Sequence, residues 1–186
     1  SLGGTLAIGY AQQHPGALGG VVSIDGLPVF PGTENMAGPQ RTAMAANMKA
    51  QVAGLTRDAF AGQQVQYMKA IGVLDPVRAA ELAKLTANSD PASVGTYMAD
   101  VLTADLRPGL NKIAVPVLVI APYNAPDAMA RGISEEAKAA YYRGLMAGVA
   151  DLDVATVAPA RHFAMLDQPE KVRALVAAFM EKKALR

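Results

Sequence analysis

Ser1 and His162 are the residues of this chain best placed to do chemistry. Ser1 opens the segment Ser-Leu-Gly-Gly, and His162 stands in Ala-Arg-His-Phe-Ala-Met-Leu-Asp-Gln-Pro-Glu, just ahead of a last amphipathic stretch. Ser1-Leu2-Gly3-Gly4 matches the second half of the G-x-S-x-G elbow, where the serine sits on a tight strand-to-helix turn and small neighbours let the backbone pass close by. The helix amides behind it, with the Leu2 N–H first, would face a developing oxyanion. A bland reading of Ser1 is a helix N-cap. His162 shifts that balance, because an imidazole in a loop at the carboxyl end of a strand can take a hydroxyl proton near neutral pH.

The elements that must hold this pair follow from periodicity. Residues 2–13 read as a helix, with Leu6, Ala7 and Tyr10 on one face, and His14-Pro15-Gly16 ends it. Residues 19–24 read as a short buried strand, followed by the loop Asp25-Gly26-Leu27-Pro28. From 31 to 109 no strand signal occurs. Helices are expected near 40–53, 56–72, 75–87 and 91–104, with starts marked by Thr56, Asp75-Pro76 and Asp90-Pro91. Residues 115–121 form a continuous apolar run, as a central parallel strand buried on both faces requires. A loop over 122–128, a helix over 134–148, a strand over 153–158 and a helix over 168–183 complete the chain. Strands separated by helices imply an α/β fold with parallel pairing and right-handed crossovers. Three strands make a poor sheet by themselves, so further strands are expected before Ser1.

Composition narrows the functions. The chain has 186 residues, 52% hydrophobic and 18% charged, enough for one domain with a real core. A net charge of +1, four Phe, six Tyr and no Trp argue against a nucleic-acid footprint. The absence of cysteine excludes disulfides and thiolate chemistry, and two distant histidines disfavour a metal site; no cofactor is implied. No apolar run is long enough for a membrane span, so a soluble chain is expected. No signal peptide is visible, and the natural N-terminus is not expected to be Ser1.

The whole chain resembles the C-terminal two-thirds of an α/β-hydrolase. Ser1-Leu2-Gly3-Gly4 is similar to the nucleophile elbow of that superfamily. Tyr10 to Asp25, with His14-Pro15 and Val21-Val22-Ser23-Ile24-Asp25-Gly26, resembles its third major helix and sixth strand. Val115 to Ala121 resembles its seventh strand. Arg161-His162-Phe163 through Gln168-Pro169-Glu170 resembles its histidine loop and last helix, the most specific part of the match. The resemblance implies a parallel sheet flanked by helices, with residues 1–30 and 110–186 as hydrolase core and 31–109 as a helical cap. It also implies a triad in the order Ser, acid, His. The acid usually follows the seventh strand, where Asp127 is the only carboxylate and Asn124 stands nearer the usual position. Asp127 is therefore the expected acid, with Asp25, after the sixth strand, as the alternative. The methionines Met44, Met48, Met68 and Met98 of the cap are core or an adaptable apolar wall. His14 reads as part of a helix stop, and Asp167 and Glu170 as capping carboxylates.

The expected activity is that of an esterase-like serine hydrolase acting on a small, apolar acyl substrate. Ser1 would attack, His162 would act as base and Asp127 would orient it, with Leu2 N–H as half of the oxyanion hole. The other half, and a partner segment completing the fold, would precede Ser1 in the same chain or as a separate one. An inactive hydrolase-fold binding protein is a reading from another class. Cofactor-free haloperoxidase-type and C–C bond hydrolase activities also stay open. A nucleophile using its own α-amine as base fits poorly, because such folds are rich in antiparallel strands.

Overall fold

The computed structural model describes residues 1–183. These divide into two compact units, one formed by Ser1–Pro28 with the described residues from Leu106 onward and the other by Val29–Asp105.

The first unit begins with α1 (Leu2–Gln13) and β1 (Val21–Ile24). It resumes with a 3₁₀ turn (Arg107–Lys112), β2 (Val117–Pro122) and the short α6 (Ala125–Met129). Then come α7 (Glu135–Leu145), β3 (Leu152–Val157), the single-turn α8 (Ala164–Asp167) and α9 (Pro169–Lys182).

The three strands form one parallel sheet in the order β1-β2-β3. Central β2 is buried at every position, as its unbroken apolar run requires for a strand covered on both faces. One face, carrying Leu118, Ile120 and Val157, packs against Ala160, Ala164, Val172 and Phe179, so the apolar stripe of α9 closes the core there. Alternation turns Val21 and Ser23 of β1 to the opposite face, where Ser23 meets α1.

The contact between α1 and β1 is close because both sides lack bulk. A Cβ on Gly4 would lie 2.0 Å from Ser23 Oγ. One on Gly26 would lie 2.5 Å from the Ser1 carbonyl oxygen and 2.7 Å from Gly4 Cα. These glycines set how near the start of α1 comes to the turn after β1. Ser23 Oγ donates to the Gly26 carbonyl at 2.7 Å and holds that turn from inside.

The second unit contains α2 (Gly38–Ala53), α3 (Arg57–Tyr67), α4 (Pro76–Thr86) and α5 (Pro91–Thr103). Thr56, Asp75 and Asp90 cap α3, α4 and α5 by accepting from Ala59, from Val77 and Arg78, and from Ser93. The helix expected over 56–72 changes character at Met68. Residues Met68–Gly72 widen into a π turn that closes with Val73 N–H donating to the Met68 carbonyl. Arg41 and Asp105 pair at 3.0 Å and tie α2 to the end of this unit.

Elsewhere the differences lie at element ends. Gly19 and Gly20 precede β1 instead of joining it, and β2 starts at Val117. α7 stops at Leu145 because a turn built on Gly144 and Met146 follows. The loop expected over 122–128 contains α6, and this matters for the site.

Candidate active site

Each residue of interest is placed by the end of a regular element. Ser1 occupies the N-cap position of α1, yet its side chain makes no capping hydrogen bond. Its carbonyl accepts from Thr5 N–H at 3.1 Å, and its nitrogen donates to the Ile24 carbonyl at 2.6 Å. The serine is thus fastened to the residue just before Asp25. Leu2 is the first helical residue of α1, where an amide has no intrahelical acceptor.

Asp25 follows β1 directly and has φ of +52°, the left-handed region that Asp tolerates better than most residues. Its N–H still donates to the Ile120 carbonyl at 3.0 Å, so the strand's last rung sets the point where the chain turns. That turn aims the carboxylate at two partners. Oδ2 lies 2.6 Å from His162 Nδ1, and Oδ1 accepts from the Tyr142 hydroxyl. Both the Asp25 and His162 side chains are 14% exposed, so the pair is largely desolvated.

The His162 loop is held at several points. Tyr123 N–H donates to the Val157 carbonyl, and Ala160 N–H to the Tyr123 carbonyl at 2.8 Å. Arg161 N–H donates to Asp167 Oδ2 at 2.8 Å, and Gln168 Nε2 to the Pro159 carbonyl at 2.9 Å. The Phe163 ring meets the imidazole edge-on at 5.0 Å between centroids. Asp167, read from sequence as a cap, braces the histidine loop instead.

The structure brings Asp25 to His162, which corrects the expectation of Asp127. Because α6 forms, Asp127 sits in its first turn and accepts from Asn124 Nδ2 at 2.7 Å. The Arg161 guanidinium takes both Asp127 oxygens, at 2.7 and 3.0 Å. The same Arg161 hydrogen bond holds the Asp127 carboxyl down at about 2, and Asp127 in turn raises Arg161. The one carboxylate of segment 122–128 is therefore matched to the residue beside His162. The departure of Asn124 and Asp127 from the usual spacing was the signal available in the sequence.

Two groups escaped sequence reasoning. Tyr142 and Lys138 share one face of α7, four residues apart. Lys138 Nζ lies 5.7 Å from the centre of the Tyr142 ring. Burial, then the Asp25 charge and hydrogen bond, raise the Tyr142 phenol far above its ordinary value. Burial lowers the Lys138 ammonium while the Asp25 charge pulls it back up. His14 ends α1 and stacks on Tyr10 at 4.3 Å, as a helix stop would. Among the described residues no group of three or more His, Asp or Glu could hold a metal ion, and no helix is long and apolar enough to cross a membrane.

The parallel sheet flanked by helices has clear counterparts among solved structures. The chain has the α/β-hydrolase fold. MenH from S. aureus matches at TM-score 0.70 and 15% identity, over 99% of this chain and 66% of that one. The enol-lactonase from Burkholderia xenovorans LB400 matches at 0.63 and 20%, over 97% and 63%. A thermophilic esterase from Thermogutta terrifontis matches at 0.64 and 16%, over 98% and 65%. The chain spans 66%, 63% and 61% of the first three such structures, under two-thirds of their length. No family model and no curated relative matches it.

Proposed function

We propose that this chain carries the nucleophile, acid and base of a serine hydrolase that cleaves small apolar esters through an acyl-enzyme. The observation that carries the reading is the 2.6 Å bond between Asp25 Oδ2 and His162 Nδ1, at the turn to which Ser1 is fastened. With Nδ1 held by the carboxylate, Nε2 is the atom that exchanges a proton with the nucleophile. In the first half-reaction Ser1 Oγ bonds to the acyl carbon and its proton passes to His162. The ester C–O bond then breaks, and the leaving alkoxide takes that proton. In the second half-reaction water loses a proton to His162 as its oxygen bonds to the acyl carbon, the acyl–Oγ bond breaks, and Ser1 Oγ takes that proton back from the imidazolium.

Asp25 keeps the imidazole in the productive tautomer and stabilises the imidazolium that forms twice per cycle. Leu2 N–H supplies one oxyanion donor. The Val29–Asp105 unit, inserted in sequence between β1 and β2, takes the place of a helical cap. An enol-lactonase and an esterase among the similar folds support an acyl substrate over other bonds. The test is a panel of short-chain aryl esters with Ser1→Ala and His162→Ala as controls. Turnover lost in both variants is expected, and turnover unchanged in Ser1→Ala would overturn the assignment.

A further inference from the structure

The second oxygen of Asp25 is as firmly held as the first. Oδ1 accepts from the hydroxyl of Tyr142, a residue buried in α7 and 117 positions away in sequence. A carboxylate with one oxygen on an imidazole is free to swing about its Cβ–Cγ bond unless the other oxygen is tied. We infer that Tyr142 is a positioning residue for the acid, its hydroxyl fixing Asp25 Oδ1 so that Oδ2 faces His162, with Lys138 beside it as counter-charge. This rests on the reading of Asp25 and His162 as acid and base.

The surroundings leave α7 as the element that controls this carboxylate. From α7 come the Tyr142 hydroxyl, the Lys138 ammonium and, against Tyr142, the Tyr141 ring. From the start of α1 comes the Ser1 nitrogen, which donates to the Ile24 carbonyl next to Asp25. From the histidine loop come His162 and Arg161, and Arg161 is bound by Asp127 of α6 and feels Asp167. Phe163 contributes an uncharged ring edge. The direction of control follows from charge. A donor on Oδ1 spreads the negative charge away from Oδ2, and the nearby cation offsets it. Removing either concentrates the charge on the side facing His162, and the imidazolium is then held to higher pH.

The test uses the chain labelled with ¹⁵N-histidine, where only His14 and His162 report. The expected result is that Tyr142→Phe moves the His162 titration midpoint upward by roughly half to one pH unit and leaves His14 in place. In an Asp25→Asn background the same substitution should move nothing, since the effect passes through Asp25. A midpoint unchanged in Tyr142→Phe, or an equal shift with Asp25 already replaced, overturns the proposal. Lys138→Met gives a second route if Tyr142→Phe does not fold: an upward shift supports the inference and an unmoved midpoint refutes it. A purely structural role for Tyr142 would lower stability without moving the titration. Failure of the hydrolase reading is seen separately, as an unreactive Ser1 with the His162 shifts still present.

Discussion

Replacing Asp25 with asparagine is the perturbation that separates the two carboxylates. Asparagine keeps the size of the side chain and tolerates the left-handed φ of +52°, so the backbone turn survives. The loss falls on chemistry. The 2.6 Å contact to His162 Nδ1 joins two groups that are each 14% exposed, so water cannot replace the missing charge. An amide at this position can present its NH₂ to Nδ1 and favour the wrong imidazole tautomer. It also no longer stabilises the imidazolium. Loss of a triad acid in this manner costs about 10⁴ in rate, or about 5 kcal/mol of barrier. Asp127→Asn removes a carboxylate that is 44% exposed and paired to Arg161, and should cost less than about tenfold. The assay is the rate of fluorophosphonate labelling of Ser1, followed by intact mass, with circular dichroism to confirm folding. Tyr142 loses a charged acceptor in Asp25→Asn, so a stability loss of about 1–3 kcal/mol is expected alongside. Labelling retained in Asp25→Asn and abolished in Asp127→Asn would refute the reasoning and return the acid to the loop after β2.

Gly26→Ala should lower the melting temperature by several degrees, because the new Cβ meets backbone of Ser1 and Gly4 that cannot rotate away; about 1–3 kcal/mol is expected. The same variant should slow Ser1 labelling, since it pushes the start of α1 off the turn. The Asp127–Arg161 pair has a pH signature. Its carboxyl is depressed to about 2, so its stabilisation is present above the unfolded value near 4 and is lost as pH falls toward 2. Thermal melts should therefore show a shallower acid dependence between about pH 4 and 2 in Asp127→Asn. At pH 7 that variant should change stability by no more than about 1 kcal/mol. An identical acid limb in both proteins would deny the pair its role.

How much of this was legible in the sequence depended on the range of the interaction. The apolar run of β2 and the caps at Thr56, Asp75 and Asp90 are local signals, and the elements formed where they pointed. Ser1 at a helix start and His162 after a strand were legible for the same reason. The acid was not. Asp25 and Asp127 both follow parallel strands, and only three-dimensional neighbours distinguish them. Asn124, Pro126 and Asp127 nucleate a helical turn, and Arg161 then claims Asp127. The left-handed turn at Asp25, which aims its carboxylate, depends on the rung from Asp25 N–H to Ile120. Tyr142 and Lys138 carried no signal at all, since an amphipathic helix with both residues on one face is common on any α/β sheet.

The central claim is that Ser1 is a nucleophile driven by His162. Its most direct measurement is fluorophosphonate labelling with the adduct mapped by peptide mass. A single adduct on Ser1 is expected in the wild-type chain and none in His162→Ala. An adduct on another residue, or equal labelling of Ser1 without His162, would contradict it.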